Sequence, residues 1–180
     1  MKTLLDACVL FPTLQREILM GAAKRGLFAP LFSPRILEEW RRAAARDNLP
    51  ADVEIALLRA AWPAAEVTPG PGAEDSLSLP DENDRHVLAA AIAGGAEILL
   101  TQNLKDFPAR SLARYGLRPV APDNFLMELW QDAPSDIAQA VSEAFAPLGA
   151  GPSEGRAYLK RARLPRLGKA LFSGAGPAGL

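Results

Sequence analysis

Residues 80–108 read PDENDRHVLAAAIAGGAEILLTQNLKDFP, a helix pattern followed directly by a strand pattern. An acidic start suits a helix N-terminus, and the glycine pair Gly94 and Gly95 ends the helix. The apolar run over 97–101 is short and unbroken, which is typical of a strand buried on both faces. The stretch therefore predicts one helix-to-strand step of an α/β fold.

The rest of the chain continues this alternation. Short apolar runs predict strands over 2–5 and 117–120, and 66–68 is a candidate for a further short strand. Apolar residues at helical spacing predict helices over 13–25, 34–45, 50–61, 123–131 and 134–145, with a basic helical segment from about residue 153. Together the elements predict an α/β fold with a mostly parallel sheet.

The composition excludes several classes of protein. The chain has 180 residues, of which 49% are apolar and 23% are charged, as expected for about one globular domain. A single cysteine and a single histidine exclude an internal disulfide framework, a cysteine-based zinc site and a two-histidine metal site. Because no long apolar segment or signal-peptide pattern is present, we expect a soluble cytoplasmic protein.

Acidic residues follow two of the predicted strands. Asp6 comes directly after the first strand, and Asp106 follows the strand over 97–101, within TQNLKDFP. Since the carboxyl ends of parallel strands meet at one edge of a sheet, we expect these two carboxylates to lie close together.

Two predicted helices supply further carboxylates. In the helix over 34–45, Glu39 lies at the edge of the apolar face, while Glu38 points away and stays the weaker alternative. In the helix of the opening stretch, Asp84 heads the buried stripe, whereas His86 is expected to face solvent. Four acids from separate segments repel one another unless a cation is bound. Carboxylate ligands suit Mg²⁺ or Mn²⁺, ions that commonly assist phosphodiester hydrolysis.

Four segments in this order carry a resemblance to a known family. They are LLDACVLFP over 4–12, SPRILEEW over 33–40, the opening stretch over 80–108 and PDNFL over 122–126. Over about residues 1–130 the chain resembles PIN-domain ribonucleases, most of all the bacterial VapC-like toxin branch. The resemblance implies a three-layer α/β/α sandwich and a PIN-like nuclease domain over 1–130. The helical pattern and the basic residues near the end of the chain predict a helical, basic C-terminal extension over 131–180. The resemblance also implies a Mg²⁺-dependent endoribonuclease, the toxin of a type II toxin–antitoxin pair, with a cognate antitoxin and homodimers.

The resemblance assigns roles to individual residues. The acidic quartet of the family falls on Asp6, Glu39, Asp84 and Asp106, which would be the catalytic metal ligands. Thr101 and Asn103 fall on supporting positions of the family pattern. Asn103 stands where many members have a further acid, so this chain has one charge fewer for a second metal ion.

Each acid also has a simpler structural interpretation. Asp6 and Asp106 could be turn residues after a strand, and Asp84 could be an ordinary charge at a helix N-terminus. Asp81 is more typical of a helix N-cap than of a ligand. Cys8 is typical of a small buried apolar residue.

The C-terminal segment carries an excess of positive charge. Residues 151–180 contain six basic residues and one acidic residue, whereas residues 1–150 contain 14 basic and 20 acidic residues. The segment could be a solvated helix face that ends in a flexible stretch over 174–180, or it could contact RNA or an acidic antitoxin. The candidate contacts are Lys160, Arg161, Arg163 and Arg166. Only Tyr158 and Phe172 are aromatic there, which favours contact with a phosphate backbone over base stacking.

Other functions fit the sequence less well. An aspartyl phosphatase would carry a second aspartate two residues after Asp6, where this chain has Cys8. A dinucleotide-binding protein would carry a glycine-rich turn directly after a strand, and Gly70 and Gly72 are not in that context. The remaining alternative is a non-catalytic PIN-fold module that binds nucleic acid or protein.

Overall fold

The computed structural model describes residues 1–149 and 152–172 of the chain. Four strands form one sheet in the order β2-β1-β3-β4, and every neighbouring pair is parallel. They are β1 (Lys2–Leu5), β2 (Ala29–Leu31), β3 (Ile98–Leu100) and β4 (Arg118–Val120). This confirms the predicted α/β fold class with a parallel sheet.

Ten α-helices lie within the described residues. They are α1 (Ala7–Leu10), α2 (Thr13–Lys24), α3 (Pro34–Arg46), α4 (Asp52–Ala61), α5 (Arg85–Gly94), α6 (Ala109–Leu112), α7 (Pro122–Asp132), α8 (Pro134–Phe145), α9 (Pro152–Arg161) and α10 (Pro165–Phe172). A one-turn 3-10 helix over Glu82–Asp84 precedes α5. None of the helices in the described residues is both long enough and apolar enough to cross a bilayer.

The chain divides into two compact units that interleave along the sequence. The first unit comprises Met1–Phe11 and Phe28–Ala121, and the second comprises Pro12–Leu27 and Pro122–Leu180. The division at residue 130 that the sequence suggests stays a prediction. All the predicted acids belong to the first unit, and the basic segment belongs to the second.

The sheet forms the core of the first unit. Leu4, Leu5, Leu99 and Leu100 are fully buried, as the unbroken apolar runs predict for central parallel strands. Helix α5 packs on β1 and ends at Gly95, whose φ of 61° is left-handed. The preceding Gly94 permits close packing, because a Cβ there would lie 2.8 Å from the Leu31 side chain.

Two elements of this unit differ from the sequence-based predictions. Strand β2 was not predicted, because Pro30 interrupts its pattern; as an edge strand, β2 accommodates a residue without an N–H donor. The candidate strand over 66–68 is only an isolated parallel bridge between Phe32 and Glu66.

The second unit is helical. Helix α2 packs against α8, and α7 contacts both α8 and α10. The basic segment is folded rather than frayed up to Phe172: Leu159, Leu164 and Leu167 are fully buried, and the ring of Phe145 stacks on that of Phe172. A Cβ at Gly155 would lie 2.5 Å from the Phe172 ring, so glycine is required for this packing. The predicted flexible stretch over 174–180 lies outside the described residues.

Candidate active site

Asp6 lies directly after β1, in the middle of the carboxyl-terminal edge of the sheet. Its backbone N–H donates to the carbonyl of Leu100 at 3.1 Å, which extends the pairing of β1 with β3 by one residue. The side chain is 9% exposed. Its Oδ2 accepts a 2.7 Å hydrogen bond from the Thr101 hydroxyl and a 3.1 Å hydrogen bond from the Cys8 thiol. The carboxylate is therefore fixed from two sides, with Oδ1 left for other partners.

Thr101 connects the two strand ends. It is fully buried, and its hydroxyl oxygen accepts from the Asn103 backbone N–H at 3.0 Å while the hydroxyl donates to Asp6. The side-chain amide of Asn103 in turn donates to Asp106 Oδ2. One hydrogen-bonded chain thus runs from Asp6 through Thr101 and Asn103 to Asp106. In this structure Asn103 acts as a hydrogen-bond donor to an acid, at the position where the family pattern often has another acid.

Asp84 is partly buried and is surrounded by other acids. It is the residue before α5, yet its side chain makes no capping hydrogen bond. Its Oδ2 is buried and has no hydrogen-bond partner among the described residues. Burial first, and then the charges of Asp6, Asp81, Asp106 and Glu39, raise the pKa of Asp84 from 3.8 to about 6. An ordinary helix-terminal charge would show neither the burial nor the surrounding acids.

Asp81 has a second role beside capping. Its Oδ1 accepts from the backbone N–H of Asn83 at 2.9 Å, which caps the 3-10 turn as predicted. Carboxylate oxygens of Asp81, Asp84 and Asp106 also lie within 4.8 Å of one another. The structure therefore brings Asp81 into the acidic cluster, a position that the capping interpretation alone did not indicate.

Glu39 and Glu38 lie in different environments, although they are adjacent on α3. Ser33 caps this helix, since its hydroxyl oxygen accepts from the Ile36 N–H at 3.2 Å. Glu38 forms ion pairs with Arg41 and Arg42, which lower its pKa. Glu39 instead lines a cleft with a volume of about 870 Å³, together with Asp84 and Cys8. The helix thus directs Glu39, and not Glu38, into the cleft.

His86 is buried, so the prediction that it faces solvent is wrong. It was expected to face solvent, but it is 3% exposed, and its Nε2 lies 2.8 Å from Glu39 Oε1, without the geometry of a hydrogen bond. The expectation was wrong because the helical projection assumes one buried face. The first two turns of α5 are buried on every side, from His86 to Ala91, while Ile92 on the expected buried stripe is 38% exposed.

Two arginines of the cleft are absent from the site that the sequence predicts. Arg42 and Arg46 line the same cleft as Glu39. They follow Glu39 by three and seven residues, so they lie on the same side of α3, and this spacing is the signal that could have identified them. The cleft lining therefore contains both carboxylates and guanidinium groups.

Cys8 is not a reactive thiol. Burial and the neighbouring Asp6 charge raise the pKa of Cys8 to about 12, so the thiol is protonated and donates to Asp6. Its sulfur also accepts from the Gln102 N–H at 3.3 Å. Cys8 therefore packs beside Asp6 and helps to orient its carboxylate. This is close to the predicted role of a small buried residue.

The acidic cluster fits a divalent cation. Hard oxygen ligands converge from several segments, and Asp84 Oδ2 is buried without a hydrogen-bond partner among the described residues. Acids gathered at this density in a protein are stabilised by a bound positive charge. The donor set of carboxylates is the one that Mg²⁺ and Mn²⁺ prefer.

A parallel sheet with clustered carboxylates at its carboxyl-terminal edge defines a class of α/β proteins with an acidic site for a divalent cation. Within that class the chain belongs to the PIN domain family, which it matches over residues 2–105. It is also similar to the Mycobacterium tuberculosis (strain ATCC 25618 / H37Rv) protein named "Putative ribonuclease VapC50", with 38% identity over 65 residues. That match covers 34% of this chain and 38% of the relative, so the chain spans well under half of the relative's length. No solved structure was found to match the chain.

Proposed function

We propose that the chain is a Mg²⁺-dependent endoribonuclease and the toxin of a type II toxin–antitoxin pair. The observation that carries the proposal is the environment of Asp84, a half-buried carboxylate surrounded by four other acids. Membership of the PIN domain family and the similarity to a protein named as a ribonuclease support the choice of RNA.

Asp6, Glu39, Asp84 and Asp106 would hold the metal ion, and Asp81 lies close enough to take part. When bound, Mg²⁺ or Mn²⁺ supplies positive charge that stabilises the reacting phosphate and lowers the pKa of water. Thr101 and Cys8 keep Asp6 in one orientation, and Asn103 does the same for Asp106. Arg42 and Arg46 supply positive charge to a phosphate in the cleft.

The first test is cleavage of total cellular RNA by the purified full chain, with Mg²⁺ or with EDTA. Defined fragments that require Mg²⁺ and disappear in Asp84→Asn support the nuclease. Glu143→Gln is the control for Glu39→Gln, because it removes an exposed carboxylate that lies outside the cleft lining. Absence of cleavage by the folded chain would instead favour the non-catalytic binding module.

A group of exposed apolar side chains on the first unit supports the proposal of a protein partner. Val53 and Leu57 are 68% and 64% exposed on one side of α4, and Leu49 just before the helix is 55% exposed. Exposed apolar side chains in such a group are typical of surfaces that a partner covers. We propose that the antitoxin covers this face and restrains cleavage.

The partner is tested by co-expressing the full chain with candidate antitoxins. A complex that survives purification and lowers RNA cleavage is expected, and Val53→Ser with Leu57→Ser should weaken it. Leu148→Ser is the control, since Leu148 is 48% exposed but lies in the other unit. A homodimer in the cytoplasm is also part of the proposal, and light scattering of the purified chain would detect the dimer.

A further inference from the structure

The second unit carries a row of cations that its own fold does not use. Arg156 and Lys160 are four residues apart on α9, and Arg163 follows in the turn after that helix. We call these three residues the basic stripe. All three are exposed, whereas Gly155 and Leu159 of α9 are buried. Within residues 1–149 and 152–172, the side chains of the basic stripe have no hydrogen-bond or ion-pair partner.

The neighbouring arginines are already engaged inside the unit. The guanidinium of Arg161 lies 4.4 Å from the centre of the Tyr158 ring. The Arg166 side chain donates to Asn124 Oδ1, and its backbone N–H donates to Asp123 at 2.9 Å. Of the four cations that the sequence suggested, only Lys160 and Arg163 are therefore free, and Arg156 joins them.

Arg163 occupies a backbone position that suits glycine. Its φ is 60°, and the Leu164 N–H donates to Leu159 while the Arg163 N–H donates to Lys160, the hydrogen-bond pair of a Schellman helix end. Every other left-handed residue within the described ranges is a glycine or Asn48. A long side chain is strained at this position, so folding stability does not explain why an arginine is there.

The surroundings of the stripe favour a nucleic acid over a protein. The described residues 152–172 expose no large apolar side chain, and protein interfaces are built around an apolar or aromatic centre. A row of exposed cations without such a centre suits a flexible polyanion, which is contacted through its phosphates. We propose that the basic stripe binds the phosphate backbone of single-stranded RNA. The proposal rests on the proposed function in taking RNA as the substrate.

The test measures binding without cleavage. The full chain carries Asp84→Asn, EDTA is present, and the anisotropy of a labelled single-stranded RNA of mixed sequence gives the affinity. In this background, Arg156→Gln, Lys160→Gln and Arg163→Gln together should weaken binding about tenfold or more at moderate salt. The slope of log affinity against log salt should fall by about 2, since each phosphate contact with a single strand contributes roughly 0.7.

Three exposed cations outside the stripe give the matched control. Lys24→Gln, Arg110→Gln and Lys169→Gln remove the same total charge, and they should leave both the affinity and the slope nearly unchanged. Equal losses in the two triple variants, or no loss in the stripe variant, would overturn the proposal. If the stripe variant keeps RNA affinity but loses its complex with the antitoxin, the stripe binds protein and the proposal is wrong.

Arg163→Gly separates binding from folding. Glycine relieves the left-handed strain, so the melting temperature should rise while RNA affinity falls. A purely structural role for Arg163 would make the stability fall. The nuclease proposal is tested separately, because a chain that binds RNA through the stripe but never cleaves it overturns the nuclease and leaves the stripe intact.

Discussion

The two units concentrate charge of opposite sign, and they do so in different ways. In the first unit, carboxylates converge from the ends of β1 and β3 and from the start of α5, where burial and then the neighbouring acids raise the pKa of Asp84. In the second unit, the basic stripe carries exposed cations on α9 and in the turn that follows it. Convergent acids define a point at which one cation is held, whereas a spaced row of cations suits a chain of repeated phosphates.

The largest effect is expected from removing one negative charge of the acidic site. Asp6→Asn keeps the shape of the side chain but removes the charge at the centre of the sheet edge, so Mg²⁺-dependent cleavage should fall about 100-fold or more. RNA affinity in EDTA should stay unchanged, since the basic stripe is intact. Full cleavage by Asp6→Asn would contradict the assigned site.

The next largest effect is expected from removing a hydrogen bond that orients Asp6. Thr101→Val removes the 2.7 Å hydrogen bond to Asp6 from a fully buried position with almost no change in volume. Loss of such an outer partner typically costs 10–100-fold, so cleavage and Mn²⁺ affinity should both fall by about that factor. Thr101→Ser retains the hydroxyl and should recover most of both. Equal behaviour of Val and Ser at this position would assign Thr101 to packing alone.

The smallest expected effect is on the free energy of unfolding, which the buried charge of Asp84 lowers. The pKa of Asp84 is about 6 in the folded chain against an ordinary 3.8, so the folded state favours the protonated form. The stability contributed by that proton is fully present below about pH 3.8 and is lost as the pH rises through about 6. In EDTA at pH 7, Asp84→Asn should therefore raise the free energy of unfolding by about 1–2 kcal/mol, a value reduced because solvent screens a half-exposed group.

Denaturant unfolding at several pH values measures this effect. The gain should disappear near the lower end of the window, where Asp84 of the parent chain is also protonated. A gain that is independent of pH would show that the asparagine improves packing rather than relieving repulsion.

Much of this comparison could be predicted from the sequence. The unbroken apolar runs of β1 and β3 identify central parallel strands, and their ends place Asp6 and Asp106 at one edge. Strand β2 could not be predicted, because Pro30 is acceptable there only by virtue of an edge position that pairing decides. The helical projection predicts that His86 faces solvent, because it assumes one buried face. The first two turns of α5 are instead buried on every side. The spacing of Arg42 and Arg46 from Glu39 indicates the same side of α3, and the cleft adds that all three residues line one site.

The hydrogen bond between Thr101 and Asp6 joins residues that are 95 positions apart in the chain. Half of the proposed quartet lies within the first 39 residues, and the rest comes after residue 80. During synthesis, a ribosome must therefore release most of the first unit before β1 can pair with β3 and the acids can meet. An N-terminal fragment that ends between Asp84 and β3 contains Asp6, Glu39 and Asp84 but has neither Thr101 nor Asp106. Incomplete chains are therefore expected to be harmless to the RNA from which they are being translated.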